Sequence, residues 1–347
     1  MIGIIFAILA GTMLGFWAMP AKFVKNYEFE NLWSLCYLFM LWIVPAILAF
    51  TLVGNFTDVL SDIGTATLLK MLIPSFLWGV GMLLWGKAIN HIGLSLGFSI
   101  FIGTIVFVGS LLPFFIVGLP QSNVLTTILL GITVILAGII MNGRAGIQRE
   151  GDAEDGKSGD ASMATGIIIA VVGGLLCTGF NVALEVQKLN EVISIDGVQV
   201  GSEIEKAVVQ NGNDKWLASV TSMFIVYVSG GLFVIPYFVV MLTKKKLWGA
   251  FNVPEVGKNI SFTALMGILN FTASILFAYS SFVLGKSGGT IGYAIFNTMS
   301  VVVAVVGGIL TGEWAKAPGK AKTSLYLGLA FMIIGVIIVA IGNGLAS

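Results

Sequence analysis

The chain has 347 residues, of which 57% are apolar and only 10% charged, with a mean hydropathy of +1.00. Soluble domains carry about a quarter charged residues, so this composition excludes an ordinary soluble protein and assigns the chain to a lipid bilayer. A net charge of +1 gives no basis for a nucleic-acid partner, and a single His without clustered Cys or carboxylates gives none for a metal centre.

The apolar residues collect into ten runs, near 2–20, 31–53, 68–90, 94–117, 123–142, 163–185, 215–242, 260–284, 289–311 and 323–343. Each is about 20 residues, the length at which a helix crosses roughly 30 Å of hydrocarbon with its backbone polar groups paired internally. No Lys or Arg precedes the first run, whereas Lys22 and Lys25 follow it, so it reads as a retained helix and not as a signal peptide. Trp33 and Trp42 in the second run, and Trp314 beyond the ninth, read as interfacial belt residues. Cys36 and Cys177 fall inside apolar runs, where packing is the ordinary use of the thiol.

Two polar stretches interrupt the pattern. "GRAGIQREGDAEDGKSGDAS" (143–162) is rich in Gly and charge, and it reads as a linker between a first unit, 1–142, and a second, 163–347. The segment near 186–214 is too polar to cross lipid; its tail "EIEKAVVQNG" predicts a short helix ending at Gly212, outside the membrane and placed where a lid would sit.

Loop charge sets orientation. Lys22, Lys25, Lys87, Arg144, Arg149, Lys157, Lys244, Lys245, Lys246, Lys258, Lys316, Lys320 and Lys322, most of the 18 basic residues, follow odd-numbered helices. Those loops, the linker among them, are therefore expected in the cytoplasm and both termini on the other side.

"GLSLGFSIF" (93–101), which opens the fourth run, is echoed by "GGTIGYAIF" (288–296), which opens the ninth. "GIIFAILAGTMLGFW" from Gly3 resembles "GIIIAVVGGLLCTGFN" from Gly166, and the spacing of Gly131 and Gly138 recurs in Gly328 and Gly335. Three echoes in the same order predict a repeat. With an odd number of spans per copy the second copy is inverted, the arrangement that serves alternating access in carriers.

The hairpin "GFWAMPAKFVKNYEFENLWSL" (15–35), the stretch "WGVGMLLWGKAINHIGLSLGFSIFIG" (78–103) and the carboxy-terminal "GEWAKAPGKAKTSLYLGLAFMIIGVIIVAIGNGLA" (312–346) resemble the L-rhamnose/proton symporter family of the drug/metabolite transporter superfamily. The resemblance implies an all-α membrane fold of ten helices in two inverted five-helix repeats. It also implies import of L-rhamnose or a related deoxyhexose with protons across a bacterial inner membrane, which makes the outer side, and both termini, periplasmic. The segment near 186–214 departs from the family in sequence. No cofactor is implied, and the oligomeric state is left open.

A sugar offers apolar ring faces and a rim of hydroxyls, so its site needs aromatic surfaces with amide or hydroxyl partners. Candidates near the middle of the spans are Trp17, Trp78, Trp85, Asn181, Asn270, Tyr279, Tyr293, Asn297 and Thr298. Asn270 and Asn297 lead, because an amide facing lipid is costly and either a substrate or an interhelical hydrogen bond must satisfy it. Proton coupling needs a titratable group within reach of the site, yet no carboxylate lies at the centre of a span. Glu185 at the end of the sixth helix, His91 at the turn between the third and fourth, and Glu313 after the ninth are the candidates, with solvated interfacial roles as their alternatives.

No nucleophile, zinc or phosphate-loop motif is present, so catalysis has no support in the sequence. The rival readings are a metabolite exporter of the same superfamily, a sugar carrier without protons, and a membrane-embedded sensor that transports nothing.

Overall fold

The computed structural model describes residues 2–150, 160–312 and 314–346. Helix α1 spans Ile2–Phe16; α2 (Phe29–Leu38) and α3 (Val44–Leu52) are joined through a π-helical turn at Phe39–Ile43. Outside this pair lies a short amphipathic helix, α4 (Phe56–Ile63). Helical conformation extends from Thr65 to Leu111 as α5, and α6 (Pro113–Val117) follows it. The rest of the membrane body is α7 (Ser122–Glu150), α8 (Asp160–Cys177), α9 (Gly179–Glu185), α11 (Leu217–Lys244), α12 (Val256–Leu284), α13 (Tyr293–Leu310) and α14 (Gly319–Ala346). Helix α7 thus carries on through Glu150, into the stretch the sequence assigns to the linker.

Eight helical stretches of the described residues are long and apolar enough to cross a membrane: Ile2–Phe23, Phe29–Leu52, Thr65–Ala88, Ser122–Arg149, Met163–Glu185, Leu217–Lys244, Val256–Leu310 and Gly319–Gly342. The protein is a multi-pass membrane protein. One stretch, Val256–Leu310, has 55 residues, more than twice what a bilayer needs, and a shorter apolar helix lies at Ser99–Phe115.

Ring contacts show how the two long helical stretches are folded. The Trp85 and Phe101 centroids are 6.2 Å apart, although both lie on α5, where a straight helix would separate them by about 24 Å. The chain therefore doubles back between them, near His91. In the same way the Phe277 and Phe296 rings stack at 4.6 Å, so α12 and α13 are antiparallel arms. There the reversal is built from Gly285, whose φ of 58° suits a residue without a Cβ, and a π-helical turn at Gly288–Gly292.

Glycines set the closest helix contacts. A Cβ on Gly11 would lie 2.6 Å from both the Phe296 carbonyl oxygen and Met299 Cβ; one on Gly174 would lie 2.9 Å from the Phe101 carbonyl oxygen and 2.7 Å from Thr104 Cβ. Helices α7 and α14 meet through Gly138 against the Gly328 carbonyl and Gly131 against the Gly335 carbonyl. In lipid, where apolar helices gain nothing by leaving the solvent, such close approach is the main source of association.

The polar segment after α9 is more ordered than its sequence reading. Strands β1 (Lys188–Ile195) and β2 (Val198–Ser202) pair antiparallel, turning at Asp196 (φ 50°) and Gly197 (φ 82°). The signal was present: "IDGV" is an Asp-Gly turn flanked by β-branched residues. The short helix expected from "EIEKAVVQNG" is α10 (Glu203–Gln210), capped by Ser202 Oγ, which accepts from the Glu205 amide at 3.0 Å. Asn213 ties this cap to the loop after α3, accepting from the Gly54 amide at 2.7 Å and donating to its carbonyl at 2.9 Å.

Candidate functional site

Six of the nine sequence candidates near mid-span, Trp17, Trp78, Trp85, Asn270, Tyr293 and Asn297, line one cavity of about 380 Å³. The volume falls within the range of roughly 300–1,000 Å³ typical of small-molecule sites. Its walls are unlike one another. The first half of the chain supplies all four tryptophans, Trp17, Trp33, Trp78 and Trp85, whereas the amides and serine hydroxyls of Asn270, Ser274, Asn297 and Ser300 all project from α12 and α13, among the rings of Phe180, Tyr227, Tyr293 and Phe296.

Each amide has a fixed task. Tyr227 donates its hydroxyl to Asn270 Oδ1 at 2.6 Å and shares a short hydrogen bond with Ser274 Oγ. Asn297 spends Nδ2 on the carbonyl of Tyr293, one turn earlier, at 2.9 Å. What remains for the cavity is a donor on Asn270 and an acceptor on Asn297, the pair a hydroxyl group needs because it both accepts and donates. Aromatic packing fixes these groups: the Tyr227 ring meets Trp78 and Phe271, each at 5.0 Å between centroids, and Phe277 stacks on Phe296 beneath Tyr293.

The remaining candidates lie elsewhere. Thr298 is fully buried between helices, with no hydrogen-bond partner for Oγ1 among the described residues. Tyr279 packs edge-on against Phe6 at 4.8 Å and lines a separate surface pocket beside Trp216. His91 sits within α5, where its Cβ comes against Gly166 at the start of α8. Glu313 lies outside the described residues. Trp33 departs from the belt reading, since it faces the cavity and meets Trp17 at 5.8 Å.

Asn181 and Glu185 stand one turn apart on α9 and close one end of the bundle. Asn181 Nδ2 donates to the carbonyls of Gly109 (2.9 Å) and Gly289 (2.7 Å), clasping the end of α5 to the π-helical turn before α13. Glu185 packs against Gly289 with a side chain 0% exposed, and its Oε1 accepts from Lys188 Nζ at 2.6 Å. Lys188 also donates to the Gly285 carbonyl at 2.8 Å. The Tyr293 ring lies on Gly109, so one packed layer separates this clasp from the cavity.

The opposite end is open. A vestibule of about 630 Å³ shares Trp33, Tyr37, Met82 and Trp85 with the cavity and leads to Glu28, Lys87 and Lys245 at its rim. Lys245 pairs with Glu30, and this hydrogen bond holds its ammonium above the usual lysine range. Among the described residues no group of three or more His, Cys, Asp or Glu is placed to hold a metal ion.

The sequence profile of the L-rhamnose-proton symport protein family matches residues 1–347. The chain belongs to this family. An L-rhamnose-proton symporter of Yersinia pestis (strain Pestoides F) is 25% identical over 354 residues, covering 98% of this chain and 97% of the relative. One from Escherichia coli (strain 55989 / EAEC) is 24% identical over 349 residues, with the same shares covered. In this member of the L-rhamnose-proton symport protein family, sequence reasoning missed Trp33, Tyr227, Ser274 and Ser300 as cavity residues. Only Ser274 and Ser300 carried a signal, a hydroxyl one turn from each leading Asn.

Proposed function

We propose that this protein imports L-rhamnose or a related deoxyhexose together with protons by alternating access, and that the cavity between Trp17, Trp78, Asn270 and Asn297 is its sugar site. The observation that carries this reading is the convergence of two oriented amides and a wall of indole rings on one cavity that is open at a single end. Aromatic faces take the apolar face of a pyranose ring, and the amides take its hydroxyls. The names of the relatives point the same way.

The transport unit is proposed as ten helices in two inverted repeats, 1–142 and 163–347, with 143–162 linking them, as in the drug/metabolite transporter superfamily. Counting each doubled-back stretch as two arms supports ten crossings. The contacts support the inversion: Gly11 meets Phe296 and Met299 as Gly174 meets Phe101 and Thr104, and Phe101 and Phe296 end the two copies of the nine-residue echo. Gly131 against Gly335 and Gly138 against Gly328 are likewise exchanged by the repeat. Two such halves can trade conformations, which is what opens a shared site to each side in turn.

The rim carrying Lys87 and Lys245 faces the cytoplasm by the basic-loop rule, so this is the inward-open state, with both termini and the β1–β2 cap in the periplasm of the inner membrane. Glu185 is proposed as the coupling group. Protonation would release Lys188 and free the clasp on Gly285–Gly289, whereas the charged pair holds it shut. Counterflow in proteoliposomes tests the sugar assignment: preloaded L-rhamnose should drive entry of labelled L-rhamnose, and the absence of exchange would remove it.

A further inference from the structure

The cavity's polar groups are not equally free to turn. Asn270 could present either end of its amide to a ligand, and an amide that flips freely reads a hydroxyl without fixing its direction. Here Oδ1 is taken by the Tyr227 hydroxyl at 2.6 Å, Tyr227 is itself held by Ser274, and the Tyr227 ring is fully buried. No protein group engages Asn270 Nδ2 among the described residues, and that atom is left to the cavity Asn270 lines.

We propose that Tyr227 is the positioning residue of the site: with Ser274 it locks Asn270 as a donor, and so makes the second half of the chain read the orientation of one sugar hydroxyl while the tryptophan wall of the first half takes the ring face. This rests on the reading of the cavity as a sugar site. Tyr227 need not touch the sugar, since it acts through Asn270. The tryptophans then supply affinity that is indifferent to hydroxyl position, and Asn270 supplies the discrimination. A hydroxyl lost from the sugar leaves the locked donor unpaired, which is how polar sites reject analogues.

The test is equilibrium binding of labelled L-rhamnose and its monodeoxy analogues to purified full-length protein. Tyr227→Phe keeps the ring, with its tilted contact to Trp78 and its edge-on contact to Phe271, while removing the hydroxyl. It should weaken L-rhamnose binding about tenfold, the usual effect of one lost hydrogen bond in a binding site, and flatten the ranking of the monodeoxy analogues. Asn270→Ala should do the same, and the double variant should bind no more weakly than Asn270→Ala alone, because the two act in series. Trp78→Leu should weaken all analogues alike and keep their ranking. Ser274→Ala, a smaller change, should move the ranking in the same direction as Tyr227→Phe. Additive losses in the double variant, or an analogue ranking unchanged by Tyr227→Phe and Ser274→Ala, would overturn the inference. Failure of the wild-type protein to bind L-rhamnose would instead remove the sugar reading on which it rests.

Discussion

Lys188 Nζ stands 2.6 Å from Glu185 Oε1, and nothing of the Glu185 side chain is exposed. A carboxylate so buried is tolerable only with its ammonium beside it, and removing one partner of such a pair costs about 3–5 kcal/mol. Lys188 also opens strand β1, so the pair joins the membrane body to the β1–β2 hairpin. Glu185→Gln keeps the shape against Gly289 and discards the charge. It should abolish gradient-driven accumulation while sparing sugar exchange, as vesicle accumulation and counterflow measured side by side would show; Lys188→Gln should lower thermal stability more than Glu185→Gln does. Equal accumulation by Glu185→Gln and wild type would move coupling elsewhere.

Asn297 offers a cleaner probe of the site than Asn270. Its Nδ2 bonds a carbonyl of its own helix and its side-chain partner, Tyr293, lies one turn earlier on that same helix, so Asn297→Ala should cost about 1 kcal/mol of stability. Loss of the acceptor it turns to the cavity should raise the KM for sugar about tenfold. A variant with unchanged KM would show that Asn297 serves the helix and not the ligand.

The glycine contacts predict matched defects. Gly11→Val and Gly174→Val each force a branched side chain against a carbonyl of the neighbouring helix, at Phe296 and Phe101 respectively. Overpacking of this kind costs about 1–3 kcal/mol, and the two variants should lose similar thermal stability in detergent. A large loss at one position alone would count against equivalent roles in the two halves.

Accessibility separates the open end from the closed one. In a background with Cys36 and Cys177 replaced by Ala, Ser300→Cys should react with a membrane-impermeant thiol reagent from the Lys87 and Lys245 side, through the vestibule. Ser110→Cys, fully buried beside the Gly109 clasp, should stay unreactive from either side until transport conditions open that end. Labelling of Ser110→Cys at rest would mean the clasp is not a seal.

The membrane class was legible because apolar run length and charge depletion follow from the bilayer itself. Asn270 and Asn297 were legible because an amide in an apolar helix must be satisfied somewhere. Tyr279 and Thr298 lie away from the cavity, which was not legible for a related reason: helices apolar on every face give no period from which to read which side turns inward, so position along the span was the only guide. Trp33 sits near a helix end, where a belt tryptophan and a cavity tryptophan look alike in sequence. The β1–β2 hairpin had its Asp-Gly turn in plain view, but a polar insertion between spans invites reading as a loop. Tyr227 had no sequence mark at all, because its importance comes from what lies across the helix interface.

Proton-driven sugar import is tested by accumulation of labelled L-rhamnose in proteoliposomes with and without an inward proton gradient. A proton-coupled importer should accumulate the sugar above the external concentration when the gradient is imposed, lose that accumulation on adding a protonophore, and only equilibrate it without a gradient. Uptake that ignores the gradient, or no uptake at all, would contradict it.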